Sequence, residues 1–202
     1  MRALPSHALE GNLVQSVSQS AEWRIGGTAD HPHLRTFVCT DHDAPGAEPW
    51  AEVVEQWLND DMHLPGVKGV QDIEFHCGYI EKVLAAVGTW RPDYEPWEAR
   101  EEMYRYVLPV TAVAWRFRRK GGGLADVTLG KVLAAVDRHA LDEGATEVVV
   151  VGRVHPANVA ARLLMEAHRF TRYPLWDTPQ FEIWVRRWPG RPIDPREISA
   201  QF

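Results

Sequence analysis

Residues 113–123 read Val-Ala-Trp-Arg-Phe-Arg-Arg-Lys-Gly-Gly-Gly. An apolar strand-like run enters a basic turn, and three glycines in succession break the chain before a helical pattern begins. Such a turn presents backbone N–H groups, and the helix after it adds partial positive charge at its first turn. Glycines let the backbone approach a bulky anion with no Cβ in the way. Arg118, Arg119 and Lys120 add full positive charges. The combination suits a pyrophosphate, although a basic surface turn has the same composition. The glycines are not spaced G-x-G-x-x-G, and no Lys-Ser or Lys-Thr follows them, so neither the dinucleotide nor the P-loop pattern fits.

The segments on either side set the framework. Downstream, Leu129, Val132, Leu133, Val136 and Ala140 fall on one helical face, and Gly144 ends the helix. Glu147 to Val154 contains four consecutive valines and reads as a strand buried on both faces. A helix follows from about Ala157 to His168, expected to bury Ala160, Leu163, Leu164 and Ala167. Phe181 to Arg187 is expected as the last strand. Upstream, Leu34 to Thr40 alternates as a first strand, and Pro49 opens a helix presenting Val53, Val54, Trp57 and Leu58. Period-two alternation from Ile73, a turn at Gly78 and the run Val83 to Gly88 predict a hairpin. Residues 91–106 read as a loop and a short acidic helix, and Leu108 to Phe117 as a further strand with Pro109 near its start. The order predicts a mixed α/β fold, with a central mixed sheet of six to seven strands and helices on both faces. Residues 1–33 read as an N-terminal extension, 34–188 as the domain, and 189–202 as a proline-rich tail.

Composition bounds the function classes. The chain has 202 residues and a net charge of −6, from 22 basic and 28 acidic side chains. An acidic balance argues against nucleic acid as the main partner. No apolar run approaches the ~18 residues that span a bilayer. Two cysteines, Cys39 and Cys77, are too few for a disulfide framework, and a reduced, cytoplasmic setting is expected. Asp41, His42 and Asp43 crowd one loop with no partner set elsewhere, so no metal site is assigned.

Here the sequence resembles the GNAT superfamily of acyl-CoA-dependent N-acyltransferases. The family's R/Q-x-x-G-x-G core is met by Arg118, Gly121 and Gly123. A second family pattern, N-x-x-A-x-x-L-Y-x-x-x-G-F, is mirrored by Asn158, Ala161, Leu164 and Phe170 at the same spacing. The two patterns stand in the family's order, joined by a helix and the valine strand. The resemblance is carried by residues 105–187 and is topological over 34–104.

It implies a division of labour. The backbone of Thr111, Ala112 and Val113 would hold the acyl thioester, with an N–H aimed at its carbonyl oxygen. Arg118 belongs to the same site; Arg119, Lys120, Gly121, Gly122, Gly123 and Leu124 would cradle the pyrophosphate, and Asn158 would hydrogen-bond the pantetheine arm. Acetyl-CoA or another acyl-CoA is the expected cosubstrate, with no metal, and the acceptor is an amine on a small molecule or a protein. The sequence departs from the pattern at three places. The family tyrosine, often the acid that protonates the leaving thiolate, falls at Met165, which has no proton to donate. The glycine before the phenylalanine is Arg169, and the proline of V-x-P is Trp115.

Three residues are candidates for proton transfer. Tyr173 lies just beyond the helix that carries Met165, and is otherwise a half-buried strand tyrosine. His155 stands at the end of the valine strand, where capping competes with a base role. Glu74 shares a hairpin face with His76, which is otherwise a solvated strand face. The acidic run Glu95, Glu98, Glu101 and Glu102 invites a cationic acceptor, yet equally stabilises a helical first turn. Among nine tryptophans, Trp90, Trp97 and Trp176 are expected to line an acceptor cleft. Two rival readings stand beside the enzyme: a CoA-binding module with little catalysis, and an adaptor for an anionic partner using Arg116 to Lys120. A homodimer made by exchange of the N-terminal tail or last strand is left open.

Overall fold

The computed structural model describes residues 20–41, 48–60, 72–93, 103–118 and 123–188. These form eight strands with helices between them, and they divide into two compact units. The first unit holds the described residues up to Asp60, together with Phe75–Gly88 and Val110–Leu129. The second holds Thr89–Pro109 and the described residues from Gly130 onward, with Glu74.

In the first unit β1 (Glu22–Ile25) pairs antiparallel with β2 (Glu74–Ile80), and β2 neighbours β3 (Val83–Pro92). β5 (Thr111–Val113) pairs with the other edge of β3, Gly88 facing Thr111. Helices cover the two faces. α1 (His31–Leu34) and α2 (Pro49–Asn59) bring Leu34, Ala51 and Leu58 onto Cys77, Tyr79, Leu84 and Ala112. On the other side Leu124, at the start of α4 (Leu124–Asp142), packs with Ala85, Ala86, Val113 and Trp23. The sequence expectations need correction here. No strand runs from Leu34 to Thr40: Leu34 ends α1, and the N–H groups of Cys39 and Thr40 donate to the buried Glu55 carboxylate instead of a ladder. β1 lies within residues 1–33, and the Trp23 indole over Gly78 seats it against β2. Gly78 is therefore a strand residue that makes room for an indole. The hairpin turn is Glu81-Lys82, both left-handed with φ of 49° and 65°. That is the geometry a two-residue hairpin loop needs, carried here by residue types that do not announce it. On α2, Val53 faces solvent while Ala51, Glu55 and Leu58 are buried.

In the second unit β4 (Met103–Leu108) pairs antiparallel with the end of β3 and parallel with β6 (Glu147–Val154). β6 pairs antiparallel with β8 (Glu182–Trp188), which carries the two-residue β7 (Thr171–Arg172) at its outer edge. The α4 face behaves as its periodicity predicts: Leu129, Val132, Leu133, Val136 and Ala140 are all buried. Gly144 closes the helix at φ 77°, with Ala145 N–H bonded back to Ala140. The valine strand is buried as expected. α5 (Val159–Ala167) differs from expectation, since Ala160, Leu163 and Ala167 are exposed, Leu163 at 59%. Leu164, also expected to be buried, and Met165 are only half-buried.

The strand expected over Leu108 to Phe117 is three elements: the end of β4, β5 and a helical turn, α3 (Trp115–Arg118). Proline at 109 has no N–H to give to a ladder, and pairing stops on either side of it. The expected helix before residue 106 gives way to β4 from Met103. Residues 94–102, with the acidic run and Trp97, lie outside the described residues. So do the tails 1–19 and 189–202, the segments 42–47 and 61–71, and the side chain of Trp176.

Candidate functional site

In the second unit Arg91 of β3 faces Val107 of β4, and in the first Gly88 of β3 faces Thr111 of β5. β4 ends at Leu108, just before Pro109, which cannot donate at a ladder position.

The parallel ladder of the second unit also ends at Leu108. Its register runs from Met103 opposite Glu147 to Leu108 opposite Gly152. β6 continues for two more residues against β8 alone, as far as Val154 opposite Glu182. The Met165 side chain lies against Gly152: a Cβ added there would stand 2.4 Å from Met165 Cε, and 4.0 Å from Leu108 Cδ1. The position of the family tyrosine is thus filled by a thioether laid on the end of the ladder.

The glycine turn is described only at Gly123, which has φ 61° and nothing within 4 Å of where a Cβ would be. Its carbonyl accepts the first helical bond of α4, from Val127 N–H at 2.9 Å. The N–H groups of Leu124 and Ala125 therefore come before the helical ladder, and among the described residues nothing stands within 4 Å of a Cβ added at Gly123. Arg119, Lys120, Gly121 and Gly122 lie outside the described residues. Leu124 is buried, so its side chain anchors the helix start and only its backbone can face a ligand. Thr111 is half-buried, while Ala112 and Val113 are buried. Arg118 is engaged on both sides: Nε donates to the Val113 carbonyl at 3.1 Å, and a terminal nitrogen pairs with Glu48 at 2.8 Å.

Asn158 precedes α5 and caps it, Oδ1 accepting from Ala161 N–H at 3.0 Å. Its side-chain amide therefore has its oxygen committed and its NH2 turned away from that bond. His155 serves the same turn, Nδ1 accepting from Ala157 N–H at 3.2 Å, which places the proton of the neutral ring on Nε2. Tyr173 packs on Val149, Val151, Ile183 and Val185. Residues 149 and 151 point to one face of β6 and residue 152 to the other, so Tyr173 and Met165 lie on opposite faces of that strand. Glu74 accepts from the Trp90 indole at 3.0 Å. Trp90 is buried in edge-to-face contact with Tyr106 and His139, so it belongs to the core rather than to the wall of a cleft. The sequence reading missed that helix-face partner because His139 and Trp90 are far apart in the chain.

Two residues emerge that no motif marks. Trp23 packs beneath Leu124 and Val113. Asp30 binds the Tyr79 hydroxyl, the Arg24 guanidinium and the Gly27 N–H. Burial raises the Asp30 carboxyl, but those three donors outweigh it and hold its pKa below the ordinary value. Burial pushes Tyr79 up to about 12, as it does the thiols of Cys39 and Cys77. Among the described residues no helix is long and apolar enough to cross a membrane, and no group of three or more His, Cys, Asp or Glu side chains could hold a metal.

No family model matches the sequence, and no curated protein matches it. Solved structures do. A protein from Desulfovibrio desulfuricans assigned to the GNAT family of acetyltransferases matches at 17% identity and TM-score 0.51, over 83% of this chain and 97% of its own. The PaiA N-acetyltransferase from Thermoplasma acidophilum, solved with coenzyme A, matches at 12% identity and TM-score 0.54, over 84% and 99%. An acetyltransferase from Thermus thermophilus matches at 14% identity and TM-score 0.54, over 83% and 97%. The chain has the GNAT acetyltransferase fold.

Proposed function

We propose that the protein is an acyl-CoA-dependent N-acyltransferase that moves an acetyl or similarly small acyl group to an amine. One observation carries the reading: the parallel ladder stops at Leu108 opposite Gly152, while β6 runs on to Val154 against β8 alone. An opened ladder leaves backbone groups for an extended ligand to bond. The coenzyme-A complex among the matching folds supports the choice of cosubstrate.

On this reading Thr111, Ala112 and Val113 hold the thioester through the backbone. Arg118 to Leu124 receive the pyrophosphate, and the open space beside Gly123 fits that load. Asn158 offers its NH2 to the pantetheine arm. The amine nitrogen attacks the carbonyl carbon, the C–S bond breaks and the thiolate leaves; one proton goes from the amine and one to the sulfur. His155 or Glu74 would take the amine proton. Met165 gives none to the sulfur, and Tyr173, the candidate for that proton, lies on the other face of β6 from Met165, so the thiolate would take its proton from water. Calorimetry with CoA and mass-spectrometric turnover of acetyl-CoA on an amine library test the proposal. Binding together with acyl transfer is the expected result. Tight CoA binding without transfer to any amine would leave a CoA-binding module, the second reading, which the methionine at 165 favours. Gly121→Val with Gly123→Val should abolish CoA binding; unchanged affinity would point instead to the anionic-partner adaptor.

A further inference from the structure

The segment before α2 holds α3 at both ends. Trp115 N–H donates to the Val38 carbonyl at 2.9 Å, and Arg118, at the other end, pairs with Glu48. Glu48 stands in the N-cap position of α2 yet makes no side-chain bond to its own helix. Its carboxylate is 48% exposed and the Arg118 side chain 27%. Arg118 is also the arginine of the R-x-x-G-x-G stretch.

We propose that Glu48 is an internal competitor for Arg118, so that it sets the affinity for the CoA pyrophosphate. The inference rests on the CoA reading above. With Nε given to the Val113 carbonyl, the bidentate edge left to the Arg118 guanidinium is its pair of terminal nitrogens, and an anion seated there excludes a second from the same nitrogens. The incoming phosphates bring more charge and more acceptor oxygens than a carboxylate, so they displace Glu48, but against its competition. The exchange needs little motion, because the Nε bond to the Val113 carbonyl keeps the stem of Arg118 in place while its terminal nitrogen changes partner. Glu48 is stable without Arg118, since a carboxylate at a helix N-terminus is favoured by the helix dipole.

The test is CoA affinity by calorimetry for the wild type, Glu48→Gln and Glu52→Gln. Glu52 is an exposed acid in the first turn of the same helix and controls for loss of one negative charge. A half-exposed pair of this kind limits the gain, so Glu48→Gln should tighten CoA about two- to fivefold while Glu52→Gln leaves it unchanged. In an Arg118→Gln background the Glu48 substitution should have no effect. Glu48→Ala repeats the test should the glutamine variant fold poorly. Equal tightening by both acids, or no tightening by Glu48→Gln, overturns the competition while leaving the CoA site standing. A wild type that does not bind CoA overturns the site reading and this inference with it.

Discussion

The terminal methyl of Met165 occupies the space that a side chain at Gly152 would need, with 2.4 Å between Met165 Cε and the would-be Cβ. Each residue therefore constrains the other at the end of the β4–β6 ladder. Because the obstructing atom is the far end of a flexible side chain, Gly152→Ala should cost only ~1 kcal/mol. In a Met165→Ala background that cost should largely vanish, and a double-mutant cycle by denaturant unfolding reads the difference. Independent, additive costs would show that the two do not share the space. Met165→Leu, matched in volume, should leave turnover within about threefold, since a thioether donates no proton.

Gly123 has a left-handed backbone and open space around it. Gly123→Ala should thus meet no clash but should carry ~1 kcal/mol of backbone strain. Gly123→Asn, which tolerates that conformation, should cost less. The order of unfolding midpoints, glycine above asparagine above alanine, checks this.

Asn158 can be separated into its two roles. Asn158→Ala removes the cap of α5 and should destabilise the protein by ~1 kcal/mol. Asn158→Asp keeps the capping oxygen and should retain stability, but it lacks the NH2. Loss of CoA affinity in Asn158→Asp at unchanged stability would assign the amide to the pantetheine arm; retained affinity would leave it a cap alone.

Arg169 ends α5 with φ 65°, where the family pattern has glycine. Its N–H bonds to the Glu166 carbonyl and that of Phe170 to Met165, which together make a Schellman closure with arginine in the left-handed position. Arg169→Gly should therefore stabilise the protein by ~1 kcal/mol, seen as a higher denaturant midpoint. A lower midpoint would mean the arginine side chain contributes more than the strain it carries.

At alkaline pH the first unit should weaken. Cys39 and Cys77 are raised from 9.0, and Tyr79 from 10.0, to about 12, each chiefly by burial of the charged form. A raised pKa means the folded protein holds its proton longer than the unfolded chain does. The stabilisation is full below about pH 9 and is lost progressively as pH rises toward 12. Unfolding free energies should hold level to about pH 9 and then fall toward about pH 11, and Cys77→Ser should flatten part of that slope.

Residues whose environment is their own neighbourhood were legible in sequence. The buried face of α4, its end at Gly144, the valine strand and the mixed strand order follow from periodicity and from glycine. Local pattern could not say which elements meet. Alternation at Leu34 to Thr40 suggested a strand, but the backbone donors of Cys39 and Thr40 are satisfied by Glu55, from a different helix. Gly78 looked like a turn because the indole it accommodates arrives from β1. Leu163 and Ala160 form an apolar helix face that α5 nonetheless leaves exposed, with Leu164 and Met165 half-buried.

What the sequence determined by itself is the fold class, because helix period, glycine freedom and proline's missing donor act within a few residues. Only the tertiary structure decided that Arg118 is held by Glu48, that Met165 lies on Gly152, and that Tyr173 sits across β6 from Met165. Those relationships join residues distant in the chain through strand register and side-chain packing, which no local pattern encodes.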